Sequence, residues 1–171
     1  MKKVARATLL ENHWFPAVHG PYERYYIVDH HHLGLALLRE EVRSVKLLVL
    51  ADFASLDEAT FWRMMEHHQW VHPYDARGTR QTYDAIPRRI VSMVDDPYRS
   101  LAGEVRRAGG FAKDVTPFSE FLWADFYRPR IDISLIEQDL DRAVTDAKRL
   151  SHESEARHLP GWSGNENGHQ R

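Results

Sequence analysis

The chain has 171 residues, with 23 Lys and Arg, 25 Asp and Glu, 11 His and no Cys. That length can bury one sizeable core. The net charge is −2 and no stretch reads as a basic nucleic-acid-binding tail, so nucleic-acid binding would need a local patch; the lack of Cys excludes disulfide, thiolate-nucleophile and thiolate-metal chemistry.

In chain order, Lys2 to Asn12 reads as a short helix with Val4, Ala7 and Leu10 on one side. Its two Lys precede no apolar run, so no signal peptide is expected, and no segment is long and apolar enough to span a membrane; a cytoplasmic location is expected. Aromatic and β-branched runs at Trp14 to Val18 and Arg24 to Val28 flank Gly20-Pro21, the pattern of two sheet strands around a turn. Asp29 to His32 follow, then a helix from about His32 to Val42. Val45, Leu47, Leu48, Val49 and Leu50 form an almost unbroken apolar run, which predicts a buried strand.

Beyond Asp52 the pattern turns helical. Ser55-x-x-Glu58 is a capping box ahead of Phe61, Trp62 and Met65. His72 to Gln81 is a polar loop. Asp96-Pro97 pairs an N-cap with proline at the first helical position, and Gly109-Gly110 stops that helix. Thr116-Pro117 repeats the start signal before Phe118, Phe121, Leu122 and Phe126. Ser134-x-x-Glu137 opens a last helix carrying Ile136, Leu140, Val144 and Ala147. From Gly161 the composition is that of a disordered tail. The expectation is an α+β chain: a small sheet near the N-terminus, then a mostly helical C-terminal part, as a single domain over residues 1–160 with a tail over 161–171.

The order strand, Asp29-His30-His31-His32, helix carries the most chemistry. Helix N-termini leave N–H groups without intrahelical partners, and these attract anions. Imidazoles there can bind phosphate, serve as acid or base near neutral pH, or hold a metal. His30, His31 and His32 are the candidate phosphate ligands; Asp29, His31 and His32 are the candidate catalytic groups. The competing arrangement packs one histidine in the core, caps the helix with another and leaves the third in water.

The segment Tyr25-Tyr26-Ile27-Val28-Asp29-His30-His31-His32-Leu33-Gly34-Leu35-Ala36-Leu37-Leu38 resembles the corresponding stretch of the putative ParB-like nuclease family, a branch of the ParB/sulfiredoxin fold superfamily. The likeness continues in His72-Pro73-Tyr74-Asp75, in residues 95–103 (DDPYRSLAG), in residues 117–126 (PFSEFLWADF) and in His158-Leu159-Pro160-Gly161-Trp162. It implies a ParB/sulfiredoxin-like fold and a strand-to-helix loop that binds phosphate or a nucleotide. It further implies phosphodiester hydrolysis, with magnesium or another divalent cation and a nucleoside triphosphate as cofactor candidates. His30 and Leu33 stand where the wider superfamily has glycine and arginine, so that superfamily's phosphate grip does not carry over unchanged.

Two other functions fit the same resemblance: a nucleotide-dependent phosphotransferase or NTPase, and a non-catalytic, partition-like DNA-binding module. Nucleotides or nucleic acid are the expected partners. The last function needs a basic reading helix, and Arg88-Arg89 with Arg106-Arg107 offers only a modest patch.

In the helical half, Glu120 and Asp125 lie on an otherwise apolar helix and need partners. Arg99, Lys113 and Arg128 are the candidates for structural ion pairs. The functional alternative assigns Asp29, Glu120 and Asp125 to a divalent metal, since hard oxygen ligands suit magnesium. His67, His68 and His72 lack the spacing of a paired helical metal motif and read as solvated or capping residues.

Overall fold

The computed structural model describes residues 13–164. The helix expected over Lys2 to Asn12 lies outside the described residues, as do residues 165–171. The chain divides into two compact units, residues 1–72 with 82–93 and residues 73–81 with 94–171.

The first unit holds a three-stranded sheet of β1 (Trp14–Gly20), β2 (Arg24–Ile27) and β3 (Lys46–Asp52) in the order β2-β1-β3. The strands fall in the interval where the aromatic and β-branched runs predict them. β1 pairs antiparallel with β2 and parallel with β3. Among the described residues, this unit carries two α-helices, α1 (His31–Arg39) and α2 (Glu58–His67).

β1 is the central strand, and Phe15, Ala17 and Val18 on it are buried. Side chains alternate across a strand, so Phe15 and Val18 serve opposite faces. Phe15 lies against Gly34 of α1. Val18 joins Phe61, Trp62 and Met65 of α2 in one apolar cluster, bordered by Tyr26, Phe53, Trp70 and Tyr83. Pro16 has no N–H to donate, an unusual residue for a central strand. The β1–β3 register slips one residue further on, between Ala17 and Val18.

The long apolar run does not make the buried strand that the sequence predicts. β3 is an edge strand, and Leu48, Val49 and Leu50 remain 50%, 48% and 40% exposed. Burial follows position in the sheet, and the less apolar β1 holds the centre.

The second unit is helical: α3 (Pro97–Arg107), α4 (Ser119–Tyr127), α5 (Ile133–Gln138) and α6 (Leu140–Ser151). Its core gathers Leu101, Ala102 and Val105 of α3, Trp123, Ala124 and Tyr127 of α4, and Ala143 and Ala147 of α6. Asp96 caps α3 by accepting the Tyr98 N–H at 2.9 Å. The Gly109-Gly110 stop is also in place: Gly109 adopts φ 81°, and Gly110 N–H reaches the Val105 carbonyl at 2.9 Å.

Other boundaries differ from expectation because nearby aspartates cap better. Asp57, not Ser55, caps α2 through the Thr60 N–H at 3.0 Å. Asp132 caps α5, and Asp139 breaks the expected last helix in two by capping α6. Of the stretch expected to form a tail, Gly161 is tied to the second unit, its carbonyl accepting the Ala112 N–H at 2.8 Å. Trp162 packs on the helical core.

Candidate functional site

β2 ends at Ile27, one residue short of the Arg24 to Val28 run, and α1 begins at His31. The Val28 N–H still reaches the Pro16 carbonyl at 3.0 Å. Asp29 is exposed, and its Oδ1 accepts the His30 N–H at 2.6 Å. His30 then takes the left-handed conformation, φ 65° and ψ 23°. That region favours glycine, and a histidine held there stores strain of about 1–3 kcal/mol.

The three histidines occupy three environments. The His30 ring stands edge-on to Phe15 at 5.8 Å, with Nδ1 buried and lacking a hydrogen-bond partner among the described residues. His31 is half-buried, and its Nε2 donates to the Ile27 carbonyl at 3.1 Å, since a carbonyl can only accept. That bond fixes the tautomer and leaves the lone pair on Nδ1. Burial lowers the His31 pKa, against the opposing pull of the Ile27 carbonyl and the Asp29 carboxylate. The ring is therefore held toward its neutral form. His32 is exposed.

The first intrahelical bond runs from Gly34 N–H to the His30 carbonyl at 2.8 Å, and no side chain caps α1. The N–H groups of His31, His32 and Leu33 consequently have no partner within the helix. Both His31 and His32 lie in the first turn of α1, which starts one residue before the expected His32 and ends at Arg39, short of Val42.

The acidic candidates of the second unit have other occupations. Glu120 sits between two guanidiniums, 2.8 Å from Arg99 and 2.8 Å from Arg106, and is 18% exposed. Arg99 is one of the partners expected from sequence; Arg106 is not, although it lies seven residues after Arg99 on the same face of α3. Lys113 is exposed on the segment before α4. Asp125 is 53% exposed and touches Arg128 at 3.4 Å. Arg128 bonds more closely to Asp96 at 2.9 Å and to the Ala76 carbonyl at 2.9 Å. Burial would lower the Arg128 pKa, but Asp96 and Asp125 outweigh it and hold the guanidinium above its ordinary value.

No group of three or more His, Asp or Glu among the described residues is arranged to hold a metal ion. Glu120 and Asp125 share a helix but not a partner, and the two arginines beside Glu120 would repel a cation. Asp29 belongs to the first unit, and Glu120 and Asp125 belong to the second. A magnesium ion carried on a nucleotide needs only one or two protein carboxylates, because phosphates and water supply the rest. Asp29 can meet that smaller requirement.

Sequence reasoning also missed a bridge between strands. His19 on β1 contacts Asp52 of β3 at 3.1 Å and Glu23 at 3.3 Å, and stacks on Tyr25 at 4.8 Å. The parallel pairing that brings His19 beside Asp52 has no local sequence signal.

A three-stranded sheet with a strand-to-helix histidine junction, followed by helices, defines an α+β protein with its polar junction at the end of a strand. The profile of the family described as putative ParB-like nuclease matches residues 1–129, and the chain belongs to that family. It is also similar to the crystal structure of protein Atu1540 from Agrobacterium tumefaciens, with 47% sequence identity and a TM-score of 0.88, covering 96% of this chain and 86% of that one. No curated protein matches it. Among the described residues, no helix is long and apolar enough to cross a membrane.

Proposed function

We propose that the protein binds the phosphate of a nucleotide or nucleic-acid strand at the N-terminus of α1 and hydrolyses a phosphodiester there. The observation that carries this reading is the uncapped first turn, whose His31, His32 and Leu33 N–H groups lack helical partners beside the exposed His32 ring. The family description supports nuclease chemistry over the phosphotransferase and partition-like alternatives. In this scheme the N–H groups and His32 hold the phosphate. His31, neutral and with its lone pair on Nδ1, takes a proton from the water that bonds to phosphorus, while the P–O bond to the leaving oxygen breaks and that oxygen takes a proton from solvent. Asp29 orients the junction through the His30 N–H, and its other oxygen is the natural ligand for a magnesium ion arriving on the substrate. Such an ion would stabilise negative charge on the phosphate.

His32→Ala tests the phosphate grip. Losing one charge-assisted hydrogen bond costs roughly 1.5–3 kcal/mol of affinity, about ten- to a hundredfold. Titration with a 5′-phosphorylated oligonucleotide in magnesium should show that loss, with an unchanged thermal melt because His32 is exposed. Cleavage of the same oligonucleotide should fall in His31→Gln, which keeps a donor for Ile27 but has no basic nitrogen. Unchanged binding in the folded His32 variant would remove this junction from the mechanism.

A further inference from the structure

We infer that β3 is a self-association edge, where two copies of this chain pair their β3 strands antiparallel across a two-fold axis centred on Val49. Two three-stranded sheets would thereby join into one of six strands.

The edge calls for a partner. β3 has β1 on one side, and no other strand among the described residues pairs with it. Edge strands are normally blunted by brevity, charge, proline, bulges or a covering element. β3 runs for seven residues, its one irregularity is Leu50, skipped in the pairing with β1, and between Lys46 and Asp52 it carries only Leu47, Leu48, Val49, Leu50 and Ala51. The exposed Leu48, Val49 and Leu50 continue into exposed Val45 and Trp14. Water contact with this run is unfavourable, and burying it against like surface is not.

The sequence of the strand selects the second copy as the occupant. Antiparallel pairing about Val49 sets Lys46 opposite Asp52, Leu47 opposite Ala51 and Leu48 opposite Leu50, and the two-fold repeats each pair. Opposite charges then meet at both ends of an apolar centre, the arrangement that stabilises cross-strand pairs. A parallel, in-register pairing would set Lys46 against Lys46 and Asp52 against Asp52. The charged ends are accessible: Lys46 is exposed, with its amine 5.6 Å from the Trp14 ring centroid, and the bonds of Asp52 to His19 and to the Ala54 N–H both use Oδ1. The opposite edge, β2, has four residues and an exposed Arg24, so growth stops at two copies.

Sedimentation of the full chain over a wide concentration range should give twice the 20.0 kDa chain mass, dissociating on dilution. Lys46→Glu turns both end pairs repulsive and should weaken the dimer about tenfold or more. Adding Asp52→Lys restores opposite charges and should restore the dimer. Circular dichroism melts of each variant confirm folding, and hydrogen exchange of the β3 amides should slow as concentration rises. A chain of 20.0 kDa at all concentrations overturns the inference. So does a dimer indifferent to Lys46→Glu, or β3 protection that does not depend on concentration, which would mean the edge is covered within one chain.

Discussion

His31 is more constrained than its neighbours, and the constraint has a pH signature. Its folded pKa lies below the ordinary value of 6.5, because burial disfavours the charged ring. Between the two values the unfolded chain binds the proton and the folded chain does not, so stability rises with pH. That stability is complete above about 6.5 and is lost as pH falls through this value toward the lower one. The thermal midpoint should therefore drop on mild acidification, and His31→Gln should flatten that drop; equal slopes in both proteins would show that His31 titrates as a free histidine. Asp96 offers a second test, because it both caps α3 and pairs with Arg128. Removing one member of a buried ion pair costs roughly 3–5 kcal/mol. Asp96→Ala should fall near the lower end, since Arg128 keeps Asp125 and the Ala76 carbonyl. Asp96→Asn keeps a good cap and should be less destabilising than Asp96→Ala by about 1 kcal/mol in urea unfolding. The cap was legible from Asp96-Pro97 alone. The pairing with Arg128 joins residues 32 positions apart, and no local pattern announces it.

Among the elements, helices were easier to read than strand burial. Helix existence follows from 3.6-residue periodicity and stop signals, as at Gly109-Gly110, which act over one or two turns. Helix starts were less secure, because several residues can compete for a cap: Asp57 displaced Ser55, and Asp139 inserted a start inside the last helix. Strand positions were legible from aromatic and β-branched content, but their order was not. The apolar run of β3 signals strand propensity, whereas its exposure depends on β1 lying between β2 and β3. The close packing on β1 predicts a sensitive site at Gly20. A Cβ there would strike the Phe61 and Tyr26 rings, both part of the cluster around Val18. Overpacking of this kind typically costs 1–3 kcal/mol. Gly20→Ala should therefore shift the urea midpoint downward by that amount without changing the slope, and a neutral effect would mean that α2 can move away from the sheet.

At the scale of the whole molecule, the two compact units give the proposed activity an internal control. The histidine junction lies in the first unit, while the Trp123 and Tyr127 core lies in the second. The family match runs through residue 129, so it takes in the first unit and extends through α4 of the second. A ligand that binds only the folded state stabilises it by about 2.7 kcal/mol when present at a hundred times its Kd. Hydrogen exchange can locate that stabilisation. With a 5′-phosphorylated oligonucleotide and magnesium, the His31, His32 and Leu33 amides should show the largest slowing, because they are the groups proposed to hold the phosphate. The same ligand concentration should leave His32→Ala with little of that slowing, and added salt should weaken it in the parent protein by screening the anion. Amides in the core of the second unit serve as the reference for change unrelated to direct contact. If protection rises there and not at the start of α1, the phosphate binds elsewhere and the histidine junction is a structural turn.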